Sequence, residues 1–238
     1  MKHLPLIGPA TVMAIWLGLF ATPSSVVAGE KLFLTGIEGG KSDNFYTFLG
    51  LVAPLGDNNL GDGWVQKYWL DYLGYTYNTD QRITAKAVGV EAMLGYQTSG
   101  PTFWAGVFTG LRYNNTSLEP DDPGNETNGE HIWLKTQFEG GTNLAENWKT
   151  TGIASYTFGA KSYWLRTRLK YSLSKDLFTG PEAVLMGDPN YQAWQLGWFV
   201  TGFEPLPGLK LGVKASARIT EGTDDVDGLV GIELVKVF

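Results

Sequence analysis

The sequence contains no cysteine, and only two of its 238 residues are histidines. Without cysteine the chain cannot form disulfide bonds, so its stability must come from buried surface and backbone hydrogen bonds. Lys and Arg total 18 against 24 Asp and Glu, and this acidic balance argues against nucleic acid as a partner, because phosphate binding needs a basic surface. Charged residues make up only 18% of the chain, whereas aromatic residues reach 13% and glycines number 31. Such a mixture is unusual for a soluble enzyme.

The first 28 residues have the pattern of a secretory signal peptide. A polar head of two residues precedes a mostly apolar run over 4–20, and Val26-Val27-Ala28 places small residues at positions −3 and −1 of a cleavage site. A membrane-spanning helix is the alternative, but prolines interrupt the run. We therefore predict a cleaved signal peptide over 1–28 and one mature domain over 29–238.

The mature region also lacks an apolar run suited to a transmembrane helix. One uncharged stretch, between Glu91 and Arg112, does have the length of a bilayer-spanning helix. Gly100-Pro101 in the middle of this stretch is a turn signal rather than a helix interior. The stretch therefore predicts a β-hairpin.

What the mature region does contain is apolar and polar alternation with a period of two. Residues 163–173 place Tyr, Leu and Thr on one face and Arg and Lys on the other, and residues 209–219 repeat this contrast. Successive side chains of a strand point to opposite faces, so each segment is two-faced as a strand. The whole pattern predicts about 12 strands, at 31–39, 44–55, 63–77, 82–97, 102–117, 130–141, 148–158, 162–173, 181–187, 190–204, 208–219 and 228–238.

Strand length favours a membrane barrel over a secreted sandwich or jelly roll, which is the alternative. Many predicted strands exceed the roughly 9–11 residues that cross hydrocarbon, whereas strands in soluble proteins average about 5–6. A sheet in lipid must close on itself to pair its backbone groups. We therefore predict an all-β, closed, antiparallel, up-and-down transmembrane β-barrel in the outer membrane. With both termini on the periplasmic side, loops 118–130 and 220–227 would face outward.

Two sets of side chains follow from this barrel prediction. Aromatic residues near strand ends are expected to form girdles at the membrane interfaces, and they are Trp64, Trp104, Trp148, Tyr163, Tyr191 and Phe238. Charged residues opposite the apolar faces are expected to line the lumen, and they are Arg112, Lys135, Glu139, Arg166, Arg168, Lys170, Lys210, Lys214 and Arg218. Together with acids such as Glu91 and Glu233, they would either fill the barrel with ion pairs or line a path for a polar solute. A barrel of about twelve strands is compatible with both.

The sequence offers little support for catalysis or metal binding. His131 remains after signal-peptide removal, but a Ser-His hydrolase also needs a positioned serine and a carboxylate, and no serine lies in a Gly-x-Ser-x-Gly turn. The acidic loops at 118–130 and 220–227 do not have the spacing of a calcium loop. We predict a rim or lumen position for His131, solvated loops, no metal and no cofactor. A barrel hydrolase acting on envelope lipid or glycan is the alternative.

Five short blocks resemble the BcsS family of cellulose biosynthesis proteins. They are LGDGWVQKYWLD at 60–71, VEAMLGYQ at 90–97, PDDPGN at 120–125, FTGPE at 178–182, and GDPNY at 187–191 followed by AWQ at 193–195. The resemblance implies a non-enzymatic outer-membrane accessory in bacterial cellulose (exopolysaccharide) biosynthesis or secretion. Cellulose synthase or export components or the glucan chain are then candidate partners, and the resemblance supplies no catalytic residue. As an outer-membrane barrel, the protein is also expected to contact outer-membrane lipid and lipopolysaccharide.

Overall fold

The protein forms a closed β-barrel in a computed structural model that describes residues 30–40, 44–189, 191–221 and 226–238. Within these ranges the strands are β1 Leu32–Gly40, β2 Phe45–Pro54, β3 Gly63–Asn78, β4 Arg82–Ser99, β5 Phe103–Glu119, β6 Gly129–Ala145, β7 Trp148–Thr157, β8 Ser162–Ser172, β9 Phe178–Asp188, β10 Tyr191–Leu206, β11 Leu209–Thr220 and β12 Val226–Val237. The predicted signal peptide at 1–28 lies outside the described residues. No helix in the described ranges is long and apolar enough to span a bilayer.

Consecutive strands pair antiparallel around the whole circumference, and β12 pairs with β1 to close the ring. The closing register runs from Leu32 opposite Val237 to Gly40 opposite Leu229. This confirms the predicted all-β, up-and-down, twelve-stranded barrel. We call the end that carries the termini the terminal end and the other the opposite end.

The ninth strand is longer than the sequence predicts, since it begins at Phe178 rather than at residue 181. Its ladder with β8 is interrupted between Glu182 and Thr179, where Pro181 has no N–H to donate. The ladder with β10 continues through Pro181 to Phe178. Pairing with β10 therefore keeps the segment extended where Pro181 weakens its pairing with β8.

The outer face of the barrel is apolar and exposed. Ile132 on β6 is 67% exposed and Val230 on β12 is 69% exposed, and large apolar side chains occupy the alternating outward positions of most other strands. An apolar surface of this extent requires a lipid environment. The inner face instead buries polar and charged side chains such as Lys67, Asp71 and Arg168.

Four of the six predicted girdle residues lie on the outer face or at its edge. At the terminal end, Trp64 meets Tyr96 edge-on at 5.5 Å and Trp148 packs on Tyr171 at 5.0 Å between ring centroids. Near the opposite end, the outward Tyr163 lies against Gly187 of β9. Phe238, which follows β12, is 59% exposed. Their anchoring role stays a prediction.

Trp104 and Tyr191 were wrongly predicted as girdle residues, because both lie on the inner face. The Trp104 indole covers Gly141 of the neighbouring strand, on the face of β5 that buries Phe108. The Tyr191 ring lies 6.4 Å from Tyr75 of β3, on the far side of the barrel. Position near a strand end places a residue at the correct height, but only its place in the alternation sets the face.

Candidate functional site in the barrel lumen

The first group of lumenal charges, which we call the β3–β6 network, comprises Lys67, Asp71, Glu91, Arg112, Lys135 and Glu139. The Arg112 guanidinium donates two hydrogen bonds to Asp71, at 2.8 and 2.9 Å, and a further one to Glu91. Lys135 donates to the same Glu91 oxygen at 2.5 Å. Each of these side chains occupies an alternating inward position of its strand, and the β4–β5 register sets Glu91 directly opposite Arg112.

Part of this network crosses the lumen. Lys67 of β3 lies 3.3 Å from Glu139 of β6, although β4 and β5 separate the two strands in the sheet. Gly89 makes room for the central pair, since a Cβ there would lie 2.3 Å from Arg112 Nη2 and 2.7 Å from Asp71 Oδ1. The fork geometry of arginine suits this two-bond recognition of a carboxylate.

The second group, which we call the β8–β1 network, comprises Glu38, Arg166, Arg168, Glu182, Gln195, Lys214, Arg218 and Glu233. Arg168 bridges two acids, with Nε 2.5 Å from Glu182 and Nη1 2.8 Å from Glu233. Arg166 binds the other oxygen of Glu233 at 2.9 Å. Because β8 and β12 are four strands apart, these contacts also pass through the lumen.

Glu38 of β1 joins the remaining members of this network. It pairs with Lys214 and lies 3.1 Å from Arg218. Gln195 of β10 donates to Glu38 at 3.3 Å, across the positions of β11 and β12. Lys214 also reaches Glu182 at 3.2 Å, which joins the Glu38 and Glu182 parts of the network.

Several polar side chains in the middle of the lumen are almost completely buried. Glu91, Glu182 and Gln195 each expose only 2% of their surface. Buried charges are tolerated where opposite charges and hydrogen bonds compensate them. The two networks supply that compensation, with three cations and three acids in the first and four cations and three acids in the second.

The nine charges predicted for the lumen separate into two groups. Seven belong to the networks, and they are Arg112, Lys135, Glu139, Arg166, Arg168, Lys214 and Arg218. Lys170 lies outside them, with its ammonium 4.9 Å from the Phe178 ring, and Lys210 pairs at 3.3 Å with Asp176 in a turn at the terminal end. As a functional site, these positions remain a prediction.

The sequence interpretation missed several inward charges, and they are Glu38, Lys67, Asp71, Lys149 and Glu182. Alternation could have found some of them. Lys67 and Asp71 share one face of β3 with Val65 and Trp69. That strand carries aromatic residues on both faces, however, so the contrast between the faces is weak.

At the opposite end, tyrosines and a loop narrow the mouth. Tyr75 contacts both Tyr191 across the barrel and Tyr77 beside it, with ring centroids 6.4 and 6.0 Å away. The Tyr77 hydroxyl donates to Asp122 at 2.7 Å and accepts from Asn125 at 3.0 Å. The loop between β5 and β6 is thereby held against the inner wall.

His131 lies at this same end on the inner face. Its Nε2 is 2.9 Å from the Asn128 carbonyl oxygen, and its ring stacks on Trp133 at 4.6 Å. Among the described residues, no serine hydroxyl or carboxylate is hydrogen-bonded to His131. In the same part of the chain, no group of three or more His, Asp or Glu side chains could hold a metal ion. Asp224 and Asp225 of the second acidic loop lie outside the described residues.

A closed twelve-stranded barrel with an apolar exterior and an ion-paired interior is an outer-membrane β-barrel protein. Its fold is similar to that of the KdgM porin, at 11% identity and a TM-score of 0.54, with 87% of this chain and 99% of that chain covered. An outer-membrane channel from Pseudomonas putida F1 is similar at 12% identity and a TM-score of 0.56, covering 90% and 97% of the two chains.

The amino-acid sequence, rather than the fold, shows which family the chain belongs to. The profile of the family described as cellulose biosynthesis protein BcsS matches residues 34–232, and the chain belongs to this family. A search of curated proteins gave no significant match. The protein is therefore a barrel accessory of cellulose biosynthesis located in the outer membrane.

Proposed function

We propose that this protein supports cellulose secretion or its anchoring at the cell surface without catalysis, and that its lumen is a structural brace rather than an open path for glucan. The observation that carries the proposal is the set of contacts that cross the lumen. Lys67 reaches Glu139, Arg166 reaches Glu233 and Gln195 reaches Glu38, each between strands that are not neighbours.

The energetics support a brace. A polymer passing through the barrel would have to separate these pairs, and breaking a buried ion pair by removing one partner costs about 3–5 kcal/mol. Several pairs would have to open together, since Arg168 and Lys214 each bind two acids. Cellulose export components, lipopolysaccharide or the glucan itself would then meet the protein at its rims and its outer face.

The contacts of His131 favour a non-enzymatic role over an envelope hydrolase. Its ring is stacked on Trp133 and its Nε2 is engaged with a backbone carbonyl. A general base has to reach a nucleophile within about 2.6–3.2 Å. We therefore expect His131→Ala to retain full function in cells.

The test is complementation of a deletion strain, read as uptake of a cellulose-binding dye. Wild-type protein and His131→Ala should both restore uptake, and purified wild-type protein in planar bilayers should give no large, steady conductance. Wild-type dye uptake in the deletion strain would refute the cellulose role. Loss of complementation by folded His131→Ala would support the envelope hydrolase instead. A large, steady conductance would refute the proposal that the lumenal contacts close the barrel to a polymer.

A further inference from the structure

Two lumenal lysines stand apart from both ion-pair networks. Lys149 of β7 and Lys170 of β8 are register partners at the terminal end, and both are half-buried. Their ammonium groups lie 5.1 and 4.9 Å from the centroid of one ring, that of Phe178 on β9. Among the described residues, neither lysine has a carboxylate within 4.0 Å.

The neighbouring acids are already paired with other cations. Each acid of the β8–β1 network is already bonded to two cations. Glu233, for example, is held by Arg166 and Arg168, the two arginines that precede Lys170 on the same face of β8. Lys149 and Lys170 therefore add positive charge to a wall in which cations already outnumber acids.

This arrangement is unfavourable for stability alone. Like charges directly opposite each other on neighbouring strands destabilise a sheet, and one neutral residue at either position would remove the repulsion. Phe178 offsets part of this cost because an aromatic face attracts ammonium groups. The register sets the two lysines directly opposite each other, so their Cβ atoms are neighbours on one face of the sheet, and both ammonium groups lie about 5 Å from the same ring centroid.

We propose that Lys149, Lys170 and Phe178 form a binding site for the anionic group of a small solute, a carboxylate or a phosphate, which enters from the terminal end. Two ammonium groups offer six donors and no acceptor, and their hydrogen bonds to an oxyanion are charge-assisted. Partial burial strengthens that attraction relative to open water. The site is independent of the role proposed for the barrel as a whole.

Calorimetric titration of the purified barrel in detergent micelles tests the site with three sugars that differ only at carbon 6: glucose, glucuronate and glucose 6-phosphate. We expect one or both acids to bind, more weakly as salt rises, and glucose to bind at least tenfold more weakly. Binding of glucuronate alone or of glucose 6-phosphate alone identifies the oxyanion. Equal binding of all three sugars, or binding of neither acid, overturns the proposal.

Substitutions locate the site. Lys149→Gln and Lys170→Gln should each weaken binding of the acid about tenfold, equivalent to about 1.4 kcal/mol, and Lys170→Arg should retain most of it. Lys86→Gln, which changes an exposed lysine near the opposite end, is the matched control and should bind as the wild type does. An equal loss in the control would contradict the assignment.

The stability of the ligand-free barrel gives a second readout. Without ligand, Lys149→Gln and Lys170→Gln should unfold at the same or a higher temperature than wild type, because the repulsion is gone. Glucose 6-phosphate or glucuronate, whichever binds, should raise the unfolding temperature of wild type more than that of either variant. If both variants are clearly less stable without ligand, the lysines are structural and the site is refuted.

Discussion

Replacing Glu91 by Gln keeps the shape of the side chain and removes the charge at the centre of the β3–β6 network. Arg112 keeps its two bonds to Asp71, but Lys135 loses the one carboxylate with which it pairs among the described residues. An uncompensated buried charge costs about 3–5 kcal/mol. Because the Lys135 side chain remains 14% exposed and keeps some hydration, we expect the lower end, about 3 kcal/mol.

The assay is urea unfolding of the barrel reconstituted in lipid vesicles, followed by the gel mobility of unboiled samples. Glu91→Gln should unfold at clearly lower urea, whereas Glu146→Gln, in an exposed turn, should change stability by less than about 0.5 kcal/mol. Adding Lys135→Met to Glu91→Gln should recover much of the loss, because the unpaired cation is removed. Wild-type stability of Glu91→Gln, or simple additivity in the double variant, would refute the reasoning.

Three further predictions use the same unfolding assay or limited proteolysis. Gly89→Ala should cost about 1–3 kcal/mol, because its Cβ would displace the Arg112 guanidinium, whereas Gly228→Ala, with open space around its Cβ position, should be nearly neutral. Leu111→Arg, at a 57% exposed outward position midway along β5, should cost about 2–4 kcal/mol in lipid; no effect would place that face away from the bilayer. Tyr77→Phe removes the hydroxyl that binds the β5–β6 loop and should speed proteolytic cleavage of that loop, so an unchanged cleavage rate would contradict the loop contact.

The architecture was predictable because lipid imposes a strict rule on the backbone. Segments such as 163–173 and 209–219 show strong contrast between their faces, and they are strands β8 and β11 at nearly the predicted bounds. A membrane sheet must close to satisfy its edges, so about twelve such segments predict a closed ring. Closure between β1 and β12 follows from that requirement without any knowledge of their register.

The interior was less predictable because its contacts depend on distances across the ring. Arg166 and Glu233 are 67 positions apart in the chain and four strands apart in the sheet, so no local pattern relates them. Trp104 and Tyr191 lie near strand ends but on the inner face, because alternation along the strand, and not height, determines the face of a side chain. Lys149 and Lys170 are 21 positions apart in the chain, and only the β7–β8 register sets them opposite each other.

The most direct test of the account is a disulfide across the seam that closes the barrel. The chain has no cysteine, so two introduced cysteines can react only with each other. Leu34→Cys and Val235→Cys place them at register partners of β1 and β12. Non-hydrogen-bonded antiparallel partners have Cα atoms about 4.5 Å apart, which is within disulfide range. Oxidation of the folded protein in lipid should form an intramolecular bond in the monomer, and Leu34→Cys with Val107→Cys should not. No bond in the seam pair, or bonds only between molecules, would contradict a closed barrel.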